Sequence, residues 1–147
     1  MNRRVGDLVL EPVWPLPTSP TVGPGDGSTA NNASVVLLAE IRGVRFFLGG
    51  DVEPEGQATL ATMLSGLHVD VLKVPHHGSR YQDLPFLESL GARLAVISVG
   101  AGNDYGHPAP ETVSALASTG ERVLRTDLDG SVAVVERGGR LSAVTSR

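Results

Sequence analysis

The chain has 147 residues, 41% hydrophobic and 19% charged, an ordinary balance for one globular domain with a real core. Its net charge of -4 lacks the basic stripe of a protein that holds nucleic acid by phosphate neutralisation alone. Cysteine is absent, which excludes disulfides, thiolate metal sites and a cysteine nucleophile, so a metal here must be held by histidine and carboxylate.

Residues 5–10 read as a short strand, and residues 14–34 as a long Pro/Gly/Ser-rich loop without period. The runs "SVVLLAEI" and "VRFFLGGD" flank Arg42-Gly43, a hairpin signal that places a β-hairpin over residues 35–51. From residue 52 to 136 strand and helix alternate. Pro54 suits a first helical turn, and Leu60, Met63, Leu64 and Leu67 recur at helical spacing up to a stop near Gly66. A strand follows at 69–74. Asp83 can cap a helix that begins near Pro85 and carries Phe86, Leu87 and Leu90, and "RLAVISV" has the continuous apolar character of a buried strand. A helix over 110–118 ends at Gly120, "RVLRT" is a strand, and Asp129-Gly130 is expected as a hairpin turn before "SVAVVE" and "LSAV". Residues 137–147 are expected as a C-terminal tail to a single domain spanning 1–147. The pattern predicts an α/β fold bordering on α+β, with a mixed sheet and helices packed against it.

Sheets of this kind bind ligands beyond the C-terminal ends of their strands. Three polar clusters fall at such ends: Asp51 after "FFLGG", His76 and His77 after "VLKVP", and Asn103, Asp104, Tyr105 and His107 after "AVISV". Imidazole is the commonest protein ligand for zinc and similar metals, and a strand end followed by Gly78 and Ser79 holds it on a rigid base. Asp51 also precedes a helix, so an N-cap role stands beside a ligand role for it. Ser79, Arg80 and the amides around Gly78 could contact a phosphate, although Arg80 also reads as an exposed loop charge. Lys73 lies within the strand before the histidine pair, and alternation does not decide which face it takes.

The ordered segments "NNASVVLLAEIRGVRFFLGGD", "VDVLKVPHHGSR" and "AVISVGAGNDYGHPAPETVSALASTGERVLRTDLDGSVAV" resemble the C-terminal metallo-β-lactamase-fold domain of the ComEC/Rec2 DNA-internalisation proteins. The resemblance covers roughly residues 5–136. It implies an αββα sandwich, of which this chain is the second half with helices on one face, and a divalent metal centre, zinc or manganese, at one edge. Under it, Asp51 fills the place of a metal-binding carboxylate and His76 or His77 that of the last histidine ligand. Asp51, His77 and His107 become the catalytic candidates, and Ser79, Arg80, Asn103 and Tyr105 the substrate contacts. The implied substrate is a DNA single strand, and the implied parent is a protein of the bacterial cytoplasmic membrane with this domain on its outer side. The chain itself has no apolar stretch approaching the roughly 18 residues of a membrane span and is expected to be soluble.

The family's HxHxDH motif, which supplies most of its metal ligands, is absent, and only four histidines are present. The metal site is therefore expected to be incomplete without the missing half of the domain, and a non-catalytic remnant or interaction module is the alternative to an enzyme fragment. A missing facing sheet would also bare apolar residues such as Val36, Leu38, Phe46 and Leu48, so self-association is expected.

Overall fold

The computed structural model describes residues 2–19 and 28–147. Two strands, β1 (Arg3–Val5) and β2 (Leu8–Trp14), pair antiparallel, where one strand over 5–10 was expected; Gly6-Asp7 forms a turn that divides the run. Within the expected loop 14–34, residues 28–32 form a short helix, α1 (Ser28–Asn32), and residues 20–27 lie outside the described residues. The hairpin of β3 (Val36–Ile41) and β4 (Val44–Leu48) turns on Arg42 and Gly43, both at positive φ (51° and 77°), as a right-twisted two-residue turn requires.

From there the chain alternates: α2 (Pro54–Met63), β5 (Val71–Lys73), a 3₁₀ turn at Pro75–Gly78, α3 (Leu84–Ser89), β6 (Leu94–Ile97), α4 (Pro110–Ser118) and β7 (Arg122–Arg125). Asp83 caps α3 as its sequence suggests, its Oδ1 accepting the Phe86 N–H at 3.1 Å. Asp129-Gly130 is not the expected hairpin turn. Residues 126–129 form a helical turn, α5 (Thr126–Asp129), in which the Asp129 carboxylate accepts the Arg125 N–H at 2.7 Å, and Gly130 at φ 72° ends it. The C-terminal hairpin pairs β8 (Val132–Arg137) with β9 (Arg140–Thr145) and turns at Gly138-Gly139, so residues 137–147, expected as a tail, hold a strand.

Strands β1 to β7 lie side by side in sequence order in one mixed sheet, antiparallel from β1 to β4 and parallel from β4 to β7. Parallel neighbours joined by right-handed crossovers carry their helices on one face, and here α2, α3 and α4 contribute Leu60, Phe86, Leu87 and Leu116 to a single core with Phe47, Leu72, Ala95 and Ile97. The opposite face carries Val44, Val71 and Leu94, covered by Val134, Leu141 and Ala143 of the C-terminal hairpin. The mixed α/β architecture with helices on one face is thus as expected.

The registers divide the residues expected on one bared face. Val36 and Leu38 belong with Phe47 on the helix side, whereas Phe46 and Leu48 point to the hairpin side, with Ala39 and Leu37 as their partners across the ladder. An open apolar strip does exist, but it is the hairpin-side surface of β1 to β4: Leu8, Leu10, Leu37 and Leu48 are half-buried there, and Val5 is 68% exposed.

Candidate functional site

The parallel arrangement brings the C-terminal ends of β4, β5 and β6 to one edge, and with them all three polar clusters. After β4 the chain turns sharply at Gly50 (φ 54°), where a Cβ would stand 2.7 Å from the Val35 carbonyl oxygen and 2.8 Å from Ser34 Oγ. That same hydroxyl accepts the Asp51 N–H at 2.9 Å, so the "NNAS" segment fixes the turn that carries the carboxylate. Asn32 extends the bracket: its Oδ1 accepts the Glu53 and Gly56 N–H groups at 3.0 and 3.3 Å and caps α2 from outside, because the helix's own first residue supplies no side-chain cap.

After β5, His76 and His77 both adopt left-handed backbone angles (φ 46° and 53°), followed by Gly78 at φ 74°. Non-glycine residues in this region cost on the order of 1–3 kcal/mol each and persist where surrounding bonds determine them. Here the His76 N–H donates to the Gly50 carbonyl at 3.0 Å, the Ser79 N–H to the His76 carbonyl at 2.9 Å, and the Ala109 N–H to the Gly78 carbonyl at 2.8 Å. An amide pair, buried Gln57 and half-buried Gln82, holds the turn from below: Gln57 donates to Gln82 Oε1 at 2.7 Å, and Gln82 donates to the Pro75 carbonyl at 3.0 Å.

The result separates the two imidazoles. His77 turns to Asp51, with Nε2 3.6 Å from Oδ1, while its Nδ1 lies 2.7 Å from the Ser98 carbonyl oxygen. A carbonyl only accepts, so Nδ1 carries the hydrogen and neutral His77 aims an Nε2 lone pair at a carboxylate. Two acceptors facing one another at that distance are unfavourable unless a proton or a cation lies between them. A spacing of 3.6 Å is also roughly the distance between two ligands each about 2.1 Å from one tetrahedral cation. His76 instead faces Glu53, 3.3 Å from Nδ1 to Oε1, and packs edge-on against His107 at 5.4 Å between ring centroids.

His107 is half-buried, and burial, with His76, His77 and Arg80 adding to it, lowers its pKa from the ordinary imidazole value. Tyr105 stacks on it (centroids 6.1 Å apart, planes 20° apart) and is 84% exposed. His77, Val99, Gly100, Asn103, Tyr105 and His107 line a cavity of about 210 Å³. Asn103 is occupied within its own loop, donating to the Gly100 and His107 carbonyls and accepting the His107 N–H. Ser79 is fully buried and accepts the Tyr81 N–H at 3.1 Å, so its hydroxyl serves the turn and does not reach the surface. Arg80 lies on the rim, its Nε 4.0 Å from Glu111 Oε1, and Asp104 is exposed.

Lys73, which alternation left undecided, takes the hairpin side at the end of β5 and reaches under the Asp51 turn, donating from Nζ to the Gly50 carbonyl at 3.2 Å. Burial lowers its pKa, partly offset by the Asp51 charge. Asn31, Asn32, Ser34 and Glu53 were likewise missed; the only signal was the dense Asn-Asn-Ala-Ser run before a strand.

Among the described residues no group of three or more histidine or carboxylate side chains is arranged to hold a metal ion. The Asp51–His77 pair therefore fits as two corners of a cation site and does not complete one.

No family model matches the chain. It is 38% identical over 108 residues to ComE operon protein 3 of Bacillus subtilis, across 73% of this chain and 14% of that protein. Against competence protein ComA of Neisseria gonorrhoeae it is 33% identical over 112 residues, across 74% of this chain and 16% of that protein. The chain thus spans about one sixth or less of the length of these relatives. Its fold is similar to the crystal structure of a Parabacteroides distasonis protein described, by name only, as a metal-dependent hydrolase, with a TM-score of 0.55 at 14% identity over 87% of this chain and 55% of that one. Over its matched stretch, the chain belongs to the family of competence proteins that the Bacillus and Neisseria sequences represent, as one segment of their length.

Proposed function

We propose that this chain is part of a metal-dependent hydrolase domain that cleaves phosphodiester bonds of DNA, in the service of DNA uptake. The observation that carries the proposal is the lone pair of His77 Nε2 directed at Asp51 Oδ1 across 3.6 Å, a gap that suits a divalent cation. The names of the competence relatives support DNA as the substrate, and the hydrolase-like fold supports the reaction class.

A bound zinc or manganese ion would lower the pKa of a coordinated water to about 7 and so provide a hydroxide nucleophile. This chain's own residues do the rest. Asp51 and His77 hold the cation, and Ser98 keeps His77 in the tautomer that can do so. His107, its pKa lowered by burial, is neutral at ordinary pH and able to accept a proton from, or orient, a group in the adjoining cavity. Lys73 places an ammonium beneath the Asp51 turn, and Arg80 a guanidinium at the rim, where charge on a phosphate would need neutralising. Tyr105 offers an exposed ring on which a nucleobase of a single strand can stack.

Among the described residues the pair has no third ligand arranged with it, so a cation should bind weakly and the isolated chain should cleave little or no DNA. Titrating manganese or zinc into the chain by calorimetry tests the site. Asp51→Ala should lose at least the roughly 10–100-fold in affinity that even an outer-shell partner commonly contributes. Equal affinity in both proteins would overturn the assignment of Asp51.

The apolar strip over β1 to β4 is where the rest of the domain would pack. Without it, the strip is expected to pair with a second copy, so sedimentation velocity should show concentration-dependent association that Leu10→Lys abolishes. A monomer at every concentration, with cooperative unfolding, would count against an uncovered face.

A further inference from the structure

Behind the imidazoles lies a carboxylate that the cation site does not use. His76 Nδ1 is buried and makes no well-aligned hydrogen bond, although Glu53 Oε1 lies 3.3 Å away. A buried ring nitrogen without a partner is costly, and a small rotation of either side chain would complete this bond. Glu53 is itself held in place: Asn31 Nδ2 donates to the same Oε1 at 2.7 Å, and the Glu53 N–H donates to Asn32 Oδ1 at 3.0 Å. It stands at the start of α2, yet its side chain makes no capping bond there, so the helix does not account for its orientation.

We propose that Glu53, anchored by Asn31, is a positioning residue that fixes His76 in the Nδ1–H tautomer. The anchor ties α1 to Glu53 at the start of α2 across 22 residues of sequence. The consequence is that His76 keeps its Nε2 lone pair for the site it shares with His107, whose ring centroid is 5.4 Å from its own. Ser98 sets the same tautomer in His77 through a backbone carbonyl. Both imidazoles of the pair then present Nε2 as the working nitrogen, one fixed by a main-chain oxygen and the other by a carboxylate. The usefulness of that tautomer rests on the proposed hydrolase site; the tautomer itself does not.

Long-range ¹H–¹⁵N correlation spectra of the imidazoles in the intact chain, at a pH about 2 units above the ordinary imidazole value so that the rings are neutral, read the tautomer directly. In the wild type the His76 signal is expected to show a protonated Nδ1 and an unprotonated Nε2. Glu53→Ala should shift the population toward Nε2–H, and Glu53→Gln, whose amide oxygen still accepts, should restore it. Because Asn32 caps α2 independently of the Glu53 side chain, Glu53→Ala should fold; the wild-type spectrum decides the matter even if it does not. A merely structural role would lower the melting temperature of Glu53→Ala and leave the tautomer unchanged. His76 as Nε2–H in the wild type, or an unaltered Nδ1–H population in Glu53→Ala, would overturn the proposal. Neither result bears on the Asp51 titration, so failure here and failure of the hydrolase proposal are separable.

Discussion

Glu121→Gln is expected to stabilise the protein by about 3 kcal/mol above about pH 8 and to change its stability little below about pH 4. Glu121 stands just before β7 with 6% of its surface exposed, and neither carboxyl oxygen has a hydrogen-bond partner among the described residues. Burial, reinforced by the charge of Glu88 on α3 and opposed by Thr119, raises its pKa from 4.5 to about 7. The folded state therefore holds this proton more tightly than the unfolded chain does. Its contribution to stability is fully present below pH 4.5, falls as the pH rises from 4.5 to about 7, and stays lost above that. Glutamine has nearly the shape of the protonated acid and cannot ionise, so it leaves the acid-side stability in place and removes the loss on the alkaline side. Urea midpoints measured across the pH range check this: the wild-type and variant curves should converge in acid and separate through neutrality. Parallel curves would mean that the carboxylate is solvated in the folded state.

The helices and central strands were legible because each carries a local signal that packing does not override. Pro54 and Pro110 at first helical turns, Asp83 at a cap and the unbroken apolar run of β6 all landed where the sequence placed them. The C-terminal elements were less legible, since Asp129-Gly130 carries a hairpin signal while the Asp129 carboxylate bonds back to the Arg125 N–H and closes a helical turn instead. The division of faces was illegible for a similar reason. Which of Leu38 and Phe46 meets the helices depends on the ladder register, and one residue of slip exchanges every side chain between faces.

The site shows the same division. Asp51, His76, His77 and His107 could be found because strand ends in a parallel sheet converge. The distinct partners of the two histidines could not, because they follow from consecutive left-handed residues that no sequence rule assigns to histidine. The supporting polar groups were hidden for another reason. Asn32, Ser34, Gln57 and Gln82 act across 7 to 26 residues through hydrogen bonds that only the folded arrangement brings into range. Their work is to make the left-handed turn the lowest-energy path for the backbone at the edge of the sheet, which is how a surface loop comes to hold an imidazole as firmly as a strand would.

Gly78→Ala should damage the histidine turn, for two reasons that can be separated. Gly78 has φ 74°, a conformation that costs a residue with a Cβ about 1–2 kcal/mol. The added Cβ would also stand 2.8 Å from Pro108 Cβ and 3.2 Å from Ile97 Cγ2, contacts on a rigid ring and a fully buried core residue that cannot easily yield, at a further cost of about 1–3 kcal/mol. Relief requires the Pro75–Gly78 turn to move, and that turn places His77 against Asp51. A shift of about 1 Å there would separate the two candidate ligands and, in a complete site, could cost on the order of 100-fold in rate. Gly102→Ala is the control: φ is 71° and nothing lies within 4 Å of its Cβ, so it bears the backbone strain without the clash. Urea unfolding should show a loss of about 1–2 kcal/mol for Gly102→Ala and about 2–5 for Gly78→Ala, and calorimetry should show manganese or zinc binding weakened in the second alone. If both variants lose the same stability and keep the same cation affinity, the close packing of Pro108 on Gly78 is not what holds the histidine turn.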